Sequence, residues 1–558
     1  MRIPTALAIA LLVVLAGCSG PLSSSGGTSG ATATTGDAGT TAAQSTAANA
    51  QTTSEASTTG AEGAETTATG ASTGTETTGS EMTGTESAAT DAAGTGTGTA
   101  TGGAAGDLAD PSSDRLGWEN GLWYNESIAV NDTDGLNATE RGAVVNRTIA
   151  RLEVVRQLEF NRTVPVSVIS RSAYQQQAGS GDVPPAFRTF DNTKFEAMFM
   201  VGENRDSLAV QDQNRESSVL GYYAPSNDSI VVVSESETPR LSASTLAHEL
   251  THALQDQQFD LTDDPADTRE AYNARNGLIE GEANLVQRRY QERFNDTWET
   301  PTQGEGGGGN GSASQLHYGI YFLEFFPYSD GPGFVATLYN QGGWEAVNAA
   351  HGNLPASTEQ VIYPELYEQD APTNVSLDDR SSNDWRRVTP SAPQAGQARP
   401  GYAELGQSAL SSMFAYTLFD ARSGTTYNQS AVVRPGQVVN RGEGGQGANS
   451  SDPLNYDLPA TQGWDGDKMY VYRSGNETGY VWKIAWDSPE EAQDFVTAYE
   501  ELLSHWGGTQ VSENGSTSTW EIEEASPFTD AFRVEVQGNT VTITNAPTTE
   551  GLNGVRSN

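Results

Sequence analysis

The chain has 558 residues and a formal net charge of −42, with 72 acidic side chains against 30 basic ones. Phosphate contact needs a basic footprint, and this sequence has none, which excludes a nucleic-acid role. The only cysteine, Cys18, excludes an intrachain disulfide and any thiol nucleophile or cysteine zinc ligand in the folded part.

The chain opens "MRIPTALAIALLVVLAGCSG". Arg2 precedes an apolar run, Ala6 to Leu15, that is too short to span a bilayer as a mature helix. Leu15-Ala16-Gly17-Cys18 resembles a lipobox, which implies a signal peptide over 1–17, cleavage before Cys18 and a lipid on its sulfur. No later segment approaches the ~18 apolar residues of a membrane span. The chain is therefore expected on the extracellular face of the cell membrane, held there by lipid. Thirteen N-x-S/T sites between Asn125 and Asn514 suit a glycosylated surface protein.

Residues 18–107 form an expected stalk, rich in Thr, Gly, Ala and Ser and without Lys, Arg or aromatic side chains. Such a composition buries too little apolar surface to offset the entropy of ordering. Thr139 to Leu158 has helical spacing, with Val144, Ile149, Leu152 and Val155 on one face. "VPVSVISRS" alternates like a strand. "GYYAPSNDSIVVVSE" predicts a hairpin, with turn chemistry at Pro225 to Asp228. A strand at Ile230 to Val233 is expected at a sheet edge, where an extended substrate could pair. A Gly-rich loop occupies 304–314. Residues 431–460 are polar enough to predict a linker. The last segment, 461–558, predicts two strands, a helix opened by Ser488 and Pro489, and a final hairpin at Gly538-Asn539.

"STLAHELTHALQDQ", Ser244 to Gln257, holds two of the five histidines. At roughly 100° per residue, His248, Glu249 and His252 share one side of a helix, and Leu246, Leu250, Ala253 and Leu254 share the other. Two imidazoles at i and i+4 can reach one metal, and the glutamate between them can reach a water on it. A catalytic zinc site needs a third protein ligand. The next helical segment, "NARNGLIEGEANLVQRRY", buries Ile279, Ala283, Val286 and Tyr290. Glu280 lies on the adjacent stripe with Asn284 one turn on, so Glu280 is the expected ligand and Asn284 the expected partner of a ligating imidazole. Helix phase alone leaves Glu282 as an alternative ligand. His317, Tyr318 and Tyr321 are candidate donors to a developing oxyanion. His351 and His505 read as structural.

His248-Glu249-x-x-His252 with Glu280 downstream resembles the gluzincin metallopeptidases. Glu280-Gly281 with Ala283 is similar to the segment of zinc aminopeptidases that supplies their third ligand. Asn284 departs from thermolysin, which has aspartate there. "GGWEAVNAAHGNLPASTEQVIYPELY", "AELG" and "GWDGDKMYVYR…VWKIAWDSPEEAQDF" are similar to a family of uncharacterised secreted proteins that carry the same histidine helix. Its members often have histidine where this chain has Tyr363. That family implies one continuous architecture from about Gly221 to Leu503.

The resemblances imply an α+β fold. A zincin-like catalytic domain would occupy 108–430, with the histidine helix beside a small antiparallel sheet, followed by a C-terminal α+β module. They imply a Zn²⁺-dependent peptidase acting on peptide or protein substrates, with Glu249 as general base. The rival reading is a catalytically inactive zincin-fold surface protein; a solute-binding lipoprotein would need no such histidines.

The chain has only three lysines beside its acidic excess. Self-repulsion on this scale opposes compaction at low salt. At molar salt the Debye length falls to ~3 Å and the repulsion is screened. Circular dichroism against salt concentration should show cooperative folding only at high ionic strength. Equal stability at ~10 mM and ~1 M salt, where screening differs most, contradicts the halophilic reading.

Overall fold

The computed structural model describes residues 113–131, 134–178, 183–262, 266–294, 316–390, 400–420, 430–445, 447–523 and 525–557. The signal peptide, Cys18, the stalk and the loop at 304–314 lie outside the described residues. The helix expected from Thr139 runs from Ala138 to Arg156. Asn137 opens it with a capping box: its side chain accepts from the Thr139 and Glu140 N–H groups, and Glu140 accepts from the Asn137 N–H.

A short ribbon pairs β1 (Trp118–Glu119) with β2 (Leu122–Trp123). The first true sheet contains β3 (Val166–Ile169), β4 (Gly221–Ala224) and β5 (Ser229–Val233), in the order β3-β5-β4. β4 and β5 form the expected antiparallel hairpin, while β3 joins β5 in parallel. This sheet is therefore mixed rather than wholly antiparallel. The long connection from Ser170 to Asp228 contains helices, and such a crossover is what parallel pairing requires. Ile230 to Val233 does not lie at the expected sheet edge: β5 is the central strand, paired on both sides, and β4 is an edge.

The histidine helix (Ala243–Phe259) follows, capped by the Ser242 hydroxyl, which accepts from Thr245 N–H. The glutamate helix (Arg269–Phe294) crosses it. Gly281 lets the glutamate helix touch the backbone of a third helix (Gly331–His351), which is kinked at Gly342 and Gly343. A Cβ on Gly281 would lie 2.3 Å from the Gly331 carbonyl oxygen, so only glycine permits this approach. A fourth helix (Tyr318–Ser329) packs alongside.

The C-terminal sheet has seven strands: β6 (Arg386–Arg387), β7 (Trp464–Ser474), β8 (Glu477–Trp486), β9 (Gly508–Asn514), β10 (Thr517–Ile522), β11 (Ala531–Gln537) and β12 (Thr540–Ala546). Their order is β6-β7-β8-β12-β11-β10-β9, antiparallel throughout. The helix Pro489–His505 lays Phe495, Tyr499, Leu502 and Leu503 into the core. The expected linker at 431–460 is instead packed: Val438, Leu454, Tyr456 and Leu458 are buried, and the Tyr456 hydroxyl donates to the Phe322 carbonyl. Apolar side chains spaced among polar neighbours anchor it, so mean composition misleads there. One apolar core runs from Leu136 to Ile543, and no described helix is long and apolar enough to cross a membrane.

Chain segments far apart in sequence meet at buried acids. Phe199, with a left-handed backbone, contacts Phe528, Phe532 and Tyr499. Beside it Glu196 hydrogen-bonds Asp530, whose Oδ2 accepts from Asn545 Nδ2 at 2.8 Å. Burial, reinforced by the neighbouring acids, pushes Glu196 well above its ordinary range and Asp530 up to about 7. An unfolded aspartate loses its proton near ~3.9. Between that pH and about 7 this carboxyl holds its proton in the folded chain and not in the unfolded one, so its contribution to stability falls as pH rises through this window. Asp530→Asn should flatten that fall, read as urea midpoints at constant molar salt. A pH slope unchanged by the substitution would refute the assignment.

Candidate metal centre

His248, Glu249 and His252 are buried on the histidine helix along with Leu250 and Leu254, and the helical phase sets the two histidines on the side away from those leucines. The glutamate helix supplies Glu280. His248 Nε2 lies 3.2 Å from Glu280 Oε2, His252 Nε2 lies 3.3 Å from the same oxygen, and the two Nε2 atoms are 3.3 Å apart. Ligands bound ~2.0–2.1 Å from a tetrahedral zinc sit roughly 3.3 Å from one another. The three atoms therefore form a triangle of the size of one face of such a site. Two imidazoles and one carboxylate are also a donor set that zinc takes in peptidases.

The triangle is buried: the side chains of His248, His252 and Glu280 are 5, 8 and 13% exposed. Burial lowers His248 and also opposes charge on the other two. For His252 the attraction of Glu280 and Glu249 outweighs it and raises the imidazole to about 9. For Glu280 the two histidines outweigh it and hold the carboxyl at about 2. Burial, with a contribution from Glu280, raises Glu249 to about 7 against the pull of His252. Glu249 Oε2 accepts from the Tyr223 N–H at 3.1 Å, so the β4 backbone adjoins the site.

Glu282 stands apart from the triangle. Two residues further round the helix, it accepts from Arg156, His351 and Gln255. Asn284 does not serve an imidazole: its Nδ2 donates to the Glu280 carbonyl at 2.8 Å, one turn back on its own helix. The partner of His252 is Gln255, whose Oε1 lies 2.8 Å from Nδ1. Gln287 hydrogen-bonds His248. The i to i+3 spacing of His252 and Gln255 is the signal in the sequence that points to this pair, since such residues are neighbours on a helix surface.

The expected oxyanion donors have other surroundings. His317 is the N-cap of the helix Tyr318–Ser329, where its Nδ1 accepts from Ile320 N–H at 3.2 Å. Tyr318 stacks on Phe419. Tyr321 starts a column with Phe325 and Tyr328 at i, i+4 and i+7. Tyr328 is the member that reaches the site, and its hydroxyl donates to Glu280 Oε1 at 2.9 Å. His351 pairs with Glu282 and His505 with Asp420.

A family model described as a domain of unknown function, DUF8575, matches residues 392–556. The match covers β7 to β12 and their helices but none of the triangle. No curated protein matches the chain, and no solved structure matches it.

Glu280→Gln should release zinc at far lower chelator concentrations than the unsubstituted chain. Asn284→Ala, which removes only a bond to the helix backbone, should retain it. Dialysis against a graded chelator with metal analysis checks both, and retention by Glu280→Gln would remove Glu280 from the ligand set.

Proposed function

We propose that the chain is a zinc-dependent peptidase of gluzincin type, exported and held at the cell surface by lipid on Cys18. The observation that carries this reading is the triangle of His248, His252 and Glu280 with Glu249 beside it. His248, His252 and Glu280 would hold the metal. Zinc in such a site lowers the pKa of a water and polarises a carbonyl.

The chain's own residues do the rest. Glu249 takes a proton from the attacking water and hands it to the departing amine. The Tyr223 N–H fixes one oxygen of Glu249. Tyr328 engages Oε1 of Glu280, so Oε2 is the oxygen that joins the histidines. β4, rather than β5, is the strand on which an extended peptide would pair, because it lies at the sheet edge beside Glu249. An inactive binding protein would need the ligands but no base, so the buried, oriented Glu249 favours catalysis.

Glu249→Gln should keep its zinc and lose hydrolysis by about 10²–10⁴-fold, the contribution of general-base catalysis. Cleavage of a broad peptide library at high salt, beside metal analysis, is the measurement. A variant that cuts as fast as the unsubstituted chain would rule out this mechanism.

A further inference from the structure

We propose that Gln255 and Glu282 are positioning residues that dictate which nitrogen of His252 faces Glu280. The inference rests on the metal-centre reading and adds two residues that lie outside the triangle. His252 turns Nε2 toward His248 and Glu280, and its Nδ1 lies 2.8 Å from Gln255 Oε1. A neutral imidazole offers a lone pair at Nε2 only when its proton sits on Nδ1. Gln255 enforces that tautomer only if its oxygen, not its amino group, faces the ring.

A glutamine without other partners could turn its amide over. Gln255 has no such freedom. Its Nε2 lies 2.9 Å from the Ile279 carbonyl oxygen and 2.9 Å from Glu282 Oε2. A carbonyl and a carboxylate only accept. The amino group must face them, and Oε1 is left for His252.

Glu282 is locked in turn. Arg156 Nε donates to Oε1, and His351 Nε2 lies 2.5 Å from Oε2. With Gln255, three donors converge on this carboxylate. Its supports are fixed as well: the His351 ring lies flat on Phe259, with centroids 4.1 Å apart, and the Arg156 guanidinium sits 4.4 Å over Trp344. A series of obligatory bonds thus runs from a buried guanidinium through a carboxylate and an amide to one imidazole nitrogen.

The test uses the full-length protein in molar salt with cobalt(II) as probe, comparing the unsubstituted chain, Gln255→Met, Glu282→Gln and the double variant. Each single change should weaken cobalt binding by about 10–100-fold, the range for residues that orient metal ligands. The double variant should be little worse than the poorer single one, because both act through one path. In cobalt-loaded protein the hyperfine-shifted N–H proton of His252 should be protected from exchange, and in Gln255→Met it should exchange rapidly. His505→Gln, which breaks a buried pair elsewhere, should lower stability and leave cobalt affinity unchanged. If Glu282→Gln fails to fold, Gln255→Met decides through affinity and the N–H resonance. Unchanged affinity in Gln255→Met with one cobalt still bound overturns the positioning role alone. An unsubstituted chain that binds no cobalt overturns the metal reading and this inference together.

Discussion

Desolvation of charge at the helix junction constrains the N-terminal half more than any single apolar contact. Glu282 is 1% exposed, and a carboxylate that far from water must be matched by donors or it destabilises the fold. Its donors come from three other helices: Arg156 ends the helix that begins at Ala138, Gln255 lies on the histidine helix, and His351 ends the helix that begins at Gly331. Satisfying one carboxylate therefore fixes how four helices meet. Gly281, beside it, permits the required closeness.

That constraint carries over to the neighbouring triangle. Glu280 and Glu282 leave the same helix in different directions, one toward the histidines and the other toward Arg156. The histidine helix contributes to both, through His248 and His252 on one side and Gln255 on the other. Ligand geometry and helix packing are thus coupled: a shift of the glutamate helix that relaxed Glu282 would also move Glu280. Salt acts differently on the two levels. Screening relieves repulsion among exposed acids but reaches buried pairs far less. A strongly acidic surface can therefore respond to salt while the centre keeps its own electrostatics.

The C-terminal sheet is joined to this assembly by side chains rather than by a spacer. Phe199 sits among Phe528, Phe532 and Tyr499, and Glu196 meets Asp530 nearby. Tyr456, in a stretch whose composition suggests a loose connection, hydrogen-bonds the backbone of the helix that carries Tyr328. The family match at residues 392–556 covers this packed stretch together with the strands β7 to β12.

Local periodicity determined much of this protein. The helical phase of His248, Glu249 and His252, the stripe from Ile279 to Tyr290, the hairpin at Pro225 and the caps at Asn137 and Ser488 are all short-range features, set by neighbours within a few residues. The alternation and turn signals also located the strands of the last segment. Tertiary structure decided what short-range rules leave open. Whether β5 lies at an edge depends on β3, which arrives from about sixty residues earlier. Asn284 and Gln255 are both suited to orient an imidazole, and the choice fell to the amide whose other end met Ile279 and Glu282. Tyr321 and Tyr328 share one helix face, and only the way that helix crosses the glutamate helix selects Tyr328. A side chain's partners depend on how separate elements cross, and no local pattern encodes that crossing.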